Sequence, residues 1–241
     1  ADVIPRSKLQ TLVIGKDCSV PVAASDVTTL DCSKQDFGPA ELMLISSVVI
    51  PVSTALSEVN LSMNKCFNSD SAKAFADVIL TSKIQTLVIG PKATVVPVHG
   101  SDATALNFSD QNLGPSELIV ISSAISVIPA MNEIRLDGNP ITGSKYRADR
   151  HGTRLKNYGV EEYDCDPSGF VALLEAMKSF AVSKLSIADC DIGPKGLMTS
   201  APLISVIAAV TEVNLQANPI TGAKPAMEWN KGQWEHKGWK D

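Results

Sequence analysis

The apolar residues of this chain fall into a short motif, apolar-x-x-apolar-x-apolar, that returns along most of its length. It fits Leu9/Leu12/Ile14, Val27/Leu30/Cys32, Leu56/Val59/Leu61, Ile84/Leu87/Ile89 and Ala103/Leu106/Phe108. It continues through Met131/Ile134/Leu136, Val160/Tyr163/Cys165, Val182/Leu185/Ile187 and Val210/Val213/Leu215. Alternation of this kind predicts a short strand at each place. Between the middle residues the steps run 18, 29, 28, 19, 28, 29, 22 and 28 residues. The longer steps have room for a helix. Gly-Pro pairs at 38–39, 114–115 and 193–194 put Pro in a first helical turn, where its missing N–H does no harm. Helices are predicted over 39–50, 69–81, 115–128, 168–180 and 194–208. The steps of 18 and 19 leave no space for one, so 19–22 and 95–98 are expected to be extended.

Longer copies overlie the motif. Ser7-Lys8-Leu9-Gln10-Thr11-Leu12-Val13-Ile14-Gly15 returns as Ser82-Lys83-Ile84-Gln85-Thr86-Leu87-Val88-Ile89-Gly90. Phe37-Gly38-Pro39-Ala40-Glu41-Leu42 returns as Leu113-Gly114-Pro115-Ser116-Glu117-Leu118, and loosely as Ile192-Gly193-Pro194-Lys195-Gly196-Leu197. Asn139-Pro140-Ile141-Thr142-Gly143 returns as Asn218-Pro219-Ile220-Thr221-Gly222. Every third strand thus recurs after roughly 75–79 residues, and three blocks of three strands fill the chain.

With a following Asn, the motif resembles the leucine-rich repeat. The full pattern stands at Leu56/Val59/Leu61/Asn64, Met131/Ile134/Leu136/Asn139/Ile141 and Val210/Val213/Leu215/Asn218/Ile220, and Val182/Leu185/Ile187/Cys190/Ile192 carries its Cys variant. Gln35, Gln111 and Ser168 occupy the Asn place elsewhere. Steps of 28 and 29 resemble the ribonuclease-inhibitor-like subclass. That resemblance implies an α/β solenoid over 1–222: one curved parallel sheet on the concave side, with helices and extended segments on the convex side. Each Asn is expected to be buried against backbone groups of the turn after its strand. The remaining 223–241 is expected to form a cap or tail.

Composition narrows the function. Of 241 residues, 44% are apolar and 20% charged, an ordinary globular balance. A net charge of -5 argues against nucleic acid as partner. No apolar run reaches the ~18 residues of a membrane helix. Five cysteines form no C-x-x-C pair and are read as buried reduced thiols, not disulfides or zinc ligands. No signal peptide is recognisable, and a cytoplasmic home is expected, with a secreted chain or an excised fragment as the alternatives. Two sequons, at Asn60 and Asn107, fall on expected strands and are read as accidental.

Residues between the apolar positions would line the concave face. Its second half offers Glu133, Arg135, Asp137, Glu162, Asp164, Asp166, Lys184 and Glu212. Crowded carboxylates on neighbouring strands cost stability, so this face is either a site for a basic protein or a hydrated surface offset by Arg135 and Lys184. Calcium at Glu162, Asp164 and Asp166 would need convergence that alternating strand positions do not provide. The basic stretch 144–158, with Arg147, Arg150, His151 and Arg154, is expected to project as a loop and fold back on the acidic strands; a secondary contact for an acidic partner is the other use. Trp229, Trp234 and Trp239 are expected to cap the last repeat, or else to form an aromatic partner site.

No nucleophile–base motif, phosphate loop, metal-ligand cluster or cofactor fingerprint is present, so a non-enzymatic protein-binding module with no cofactor is expected. The other expectation is a structural scaffold that self-associates through its bare amino end.

Overall fold

The computed structural model describes residues 11–16, 18–21, 26–146, 160–222, 224–230 and 233–240, with backbone alone at Pro21 and from 224 onward. In chain order the elements are β1 (Thr11–Ile14), β2 (Cys18–Pro21), β3 (Thr29–Asp31), α1 (Pro39–Leu44), β4 (Glu58–Asn60), α2 (Ser69–Thr81), β5 (Thr86–Ile89), β6 (Thr94–Pro97) and β7 (Ala105–Asn107). There follow α3 (Pro115–Ser126), β8 (Glu133–Arg135), β9 (Lys145–Tyr146), β10 (Val160–Glu162), α4 (Ser168–Met177), β11 (Lys184–Ser186), α5 (Pro194–Ile204), β12 (Glu212–Asn214), β13 (Lys224–Asn230) and β14 (Gln233–Lys240). The strands at the repeated motif and the five helices lie where the sequence puts them, whereas β9, β13 and β14 fall where no strand was expected. The first helix is shorter than expected. Ser46 and Ser47 hydroxyls donate back to the Leu42 and Met43 carbonyls, and Pro51 has no N–H, so the chain passes through a π turn (Ile45–Val49) and a 3-10 turn (Ile50–Val52).

The assembly differs from the expected one. There is no single curved parallel sheet, and the solenoid reading of the sequence is overturned. The strands form two four-stranded sheets and three separate two-stranded pairs. One sheet, β12-β11-β8-β7, is parallel throughout, with Leu106, Ile134, Leu185 and Val213 in register. The other, β3-β4-β5-β6, is parallel from β3 to β5 and ends on the antiparallel β6.

One cause divides the ladder and a second removes a rung from it. Where the step is too short for a helix, the extended return strand folds back on its predecessor as a hairpin, β2 on β1 and β6 on β5, closing off the edge. The second cause is an excursion. From Asp31 to Pro39, Asn107 to Pro115 and Ser186 to Pro194 the chain takes 8 residues between strand and helix, but from Arg135 to Ser168 it takes 33. The extra length holds β9 and β10, which pair with each other and leave β11 directly beside β8. The motif at Val160/Tyr163/Cys165 therefore does not supply a sheet rung. The neck of this excursion is pinned where the Asp166 N–H donates to the Thr142 carbonyl at 2.9 Å.

Behind the strands the helices pack in sequence order, α1 on α2 through α4 on α5. One cluster of buried side chains runs from Ile14 to Ile207, with Phe37, Phe75 and Phe170 fully enclosed. The core is thus continuous although the sheet is not. Among the described residues no helix is long and apolar enough to cross a membrane.

The buried asparagines tie neighbouring strands. Asn139 Nδ2 donates to the carbonyls of Leu136 (2.7 Å) and Phe108 (2.8 Å), while its Oδ1 accepts from Leu113 N–H (2.9 Å). Asn64 does the same between Leu61 and Cys32, and Asn218 between Leu215 and Ile187. Cys190 substitutes for the amide between β11 and β8, its thiol donating to the Leu136 carbonyl at 3.2 Å. Just before each Asn, Met63, Gly138 and Ala217 adopt positive φ, so the turn itself is left-handed.

Cys18 and Cys32 form a disulfide, Cα atoms 5.7 Å apart, that joins β2 to the end of β3. This corrects the reading of all five cysteines as free thiols. Cys66 and Cys190 are buried thiols as expected, and burial pushes Cys66 up to about 12, far from reactivity at neutral pH.

Two outcomes follow. Asn139→Ala leaves two carbonyls and one N–H unpaired in a fully buried site, and is expected to cost about 3 kcal/mol or more. Asn218→Ala, at the half-exposed sheet end, is expected to cost less, both read by urea denaturation. Thiol titration of the unfolded, unreduced chain should count three thiols, rising to five after reduction, and reduction of this 14-residue separation should lower stability by about 3 kcal/mol.

Candidate functional site

On the polar face of the all-parallel sheet, five of the expected contact residues meet on neighbouring strands held in register. One rung reads Glu133, Lys184, Glu212 across β8, β11 and β12, and the next reads Arg135, Ser186, Asn214. Because β10 is not interposed, Lys184 sits directly between two glutamates. Its Nζ lies 3.6 Å from Glu212, and Arg135 Nε lies 2.5 Å from Glu133. The expected crowding of like charges is replaced by alternation, which opposite-charge cross-strand pairing favours. Arg135, Lys184 and Glu212 remain half or more exposed, so these pairs contribute little to stability.

Asp137 closes the arrangement from the end of β8. Its Oδ1 accepts from Ser186 Oγ and from Ala188 N–H, both at 2.7 Å, and Asn214 Nδ2 donates to Ser186 Oγ at 3.1 Å. The strands are thereby held together on their polar side as well as through their backbones. Around these residues lies a shallow depression of about 180 Å³, lined by Glu133, Arg135, Asp137, Lys184, Glu212 and Asn214.

The other three expected contacts lie elsewhere. Asp164 is 1% exposed and does not face a partner. Its two carboxylate oxygens accept from the N–H groups of Gly193 (3.0 Å) and Gly196 (2.8 Å), at the start of α5. The reason lies in the repeated Gly-Pro turn. In the first two copies the Glu three residues on, Glu41 or Glu117, reaches back to the Gly N–H at 3.0 and 3.1 Å. In the third copy that position is Gly196, and Asp164 supplies the missing carboxylate from outside the helix. A Cβ at Gly196 would stand 2.4 Å from the Asp164 oxygen, so only glycine admits this cap. Asp166 accepts from Ser168 N–H at 3.0 Å, turning the chain into α4. Glu162 pairs with Lys145 at 3.1 Å across the β9–β10 ribbon, and the Lys145 ammonium draws its carboxyl below the usual range. Since Asp164 is committed to two backbone amides, the three acids do not converge as a calcium site needs.

The start of the basic stretch is bonded to the turn before α5. Ser144 Oγ donates to the Asp191 carbonyl at 3.1 Å, and the Tyr146 hydroxyl donates to Asp191 Oδ2 at 2.5 Å. Burial, and next the Asp191 carboxylate, raise the Tyr146 phenol above its ordinary value. Arg147, Arg150, His151 and Arg154 lie outside the described residues. Trp229, Trp234 and Trp239 lie on the antiparallel hairpin of β13 and β14, where Trp229 is in register with Trp234 and only the backbone is described. A second depression, about 210 Å³, crosses the helix layer between Lys73, Asp77, Ser122, Ser126 and Ala172. His99 is occupied by a 2.9 Å hydrogen bond to the Ile79 carbonyl.

No family model matches the chain, and no curated protein matches it either.

Substitution at Asp164 separates structure from recognition. Asp164→Ala leaves two buried N–H groups unpaired and is expected to lower stability by about 2–4 kcal/mol. Asp164→Asn, which keeps one acceptor, is expected to lose less. Denaturation midpoints of the two variants check the ordering.

Proposed function

We propose that this chain is a non-enzymatic protein-binding module, kin to leucine-rich-repeat proteins in its strand–Asn–helix unit, and that it binds a basic protein on the polar face of its all-parallel sheet. The observation that carries the reading is the alternating set Glu133, Arg135, Asp137, Lys184 and Glu212. Three carboxylates and two cations stand on three neighbouring strands, exposed or half-exposed around one depression. Such a pattern favours a partner with the complementary alternation and rejects one of like charge. The excess of one carboxylate, added to the chain's net charge of -5, favours a basic partner and disfavours nucleic acid. Support for a binding role over catalysis comes from His99, whose ring nitrogen is held by the Ile79 carbonyl.

The cytoplasmic home expected from the sequence sits badly with the Cys18–Cys32 bond. Disulfides persist in oxidising compartments, and that setting is what the bond supports.

The test is affinity capture of partners with the intact chain, compared with the double variant Glu133→Lys/Glu212→Lys. Reversal is expected to weaken capture of a basic partner about tenfold or more at low salt, the difference shrinking at ~0.5 M salt as screening grows. Equal capture by both chains at low salt would remove the polar face from the reading.

A further inference from the structure

We propose that copies of this chain associate head to tail by strand addition, β12 of one copy pairing with β1 of the next, parallel and in the register of β4 on β5. The inference uses backbone edges, independent of the polar-face reading. It rests on a junction that the chain already contains.

At the internal junction, Glu58-Val59-Asn60-Leu61 lies beside Thr86-Leu87-Val88-Ile89, with Val59 opposite Leu87. Leu61 N–H donates to the Val88 carbonyl at 2.8 Å, Met63 N–H to Gly90 at 3.0 Å, and Thr86 N–H to Ser57 at 3.0 Å. Both sides recur at the two ends of the described fold. Around β12 the chain reads Glu212-Val213-Asn214-Leu215, identical to the β4 side. At β1 it reads Thr11-Leu12-Val13-Ile14-Gly15, identical to the β5 side.

The edges left over are the complementary ones. Among the described residues β4 lies between β3 and β5, and β12 pairs with β11 alone, so the edge it leaves over there is the one that β4 gives to β5. Among the described residues β5 lies between β4 and β6, and β1 pairs with β2 alone, so the edge it leaves over there is the one that β5 gives to β4. Burial agrees. Val59, Leu61 and Leu87 are sealed inside the internal junction at 0–1% exposure, whereas Val213, Leu215 and Leu12 are only partly buried. Val13 is 67% exposed where its counterpart Val88 is half-buried. Unpaired strand edges with apolar neighbours are templates for addition. Here both template and complement belong to one chain, so the contact is heterologous and propagates from copy to copy.

The experiment uses the full chain and two blocked variants. Val13→Pro removes the N–H at the position of Val88, on the β1 edge. Val213→Pro does so at the position of Val59, on the β12 edge. Light scattering of the wild type is expected to show mass rising with concentration beyond a dimer. Each variant alone should stay monomeric. Mixed one to one, they should stop at a dimer, since one good edge remains on each. A wild type that stays monomeric up to ~100 µM, variants that assemble as the wild type does, or a mixture that stays monomeric would overturn the proposal. Hydrogen exchange on the wild type reads the same contact without substitution. The Leu215 and Ala217 amides, counterparts of Leu61 and Met63, should slow at least several-fold as concentration rises, and unchanged exchange there would equally sink it.

Discussion

The left-handed turn after each parallel strand leaves carbonyls and N–H groups facing inward with no backbone partner, and the side chain of a neighbouring turn must satisfy them. Asn139 shows the arrangement complete: fully buried, it bonds its own turn, the turn of β7 before it, and the approach to α3. An amide suits this place because it donates and accepts from one short side chain. Asn64, Asn218 and, with a thiol, Cys190 repeat the device. Since an unpaired buried group costs more than a made bond returns, each parallel pair depends on its tie.

That dependence matches where the parallel runs begin. Every turn that has a parallel strand upstream, other than the one leading into the β5–β6 hairpin, carries Asn or Cys. The turns after β3 and β7, which begin their sheets' parallel runs, carry Gln35 and Gln111, whose longer side chains donate to the carbonyls of Ser33 and Ser109 in their own turns. The helices ignore these breaks. They pack continuously across the back, so one apolar core spans two sheets, and the polar face of the second sheet is set by three strands held in register from both sides. Direct contact of β8 with β11 turns a crowd of acids into the alternation of Glu133, Lys184 and Glu212.

Local structure was legible in the sequence, and assembly was not. Strands and helices follow from the apolar motif and the Gly-Pro starts because both signals act within a few residues. The same motif describes a parallel rung, a hairpin arm and the misplaced Val160/Tyr163/Cys165 equally well, since all three alternate inside and outside. The discriminating marks were present but small. Gln in place of Asn signalled a sheet's first strand, and the step of 33 residues from Arg135 to Ser168 signalled an excursion. Gly196 in place of Glu signalled that Asp164 was needed as a cap, so the one expected contact that is fully buried could have been recognised from the third Gly-Pro turn. Glu133, Arg135, Asp137, Lys184 and Glu212 came together because their strands are rungs; Glu162, Asp164 and Asp166 did not, because theirs is not. The Cys18–Cys32 bond had no local signal, as its partners meet only once β2 has folded back.

The pinned neck between Thr142 and Asp166 has a further meaning. With entrance and exit held 2.9 Å apart by one amide and one carbonyl, the span between them is decoupled from the register of β8 and β11. Loop-closure entropy grows only slowly with length. Lineages of this protein are therefore free to change the length of the part between β9 and β10, provided that Ser144, Tyr146 and Asp164 keep their bonds to the turn before α5 and to its first residues.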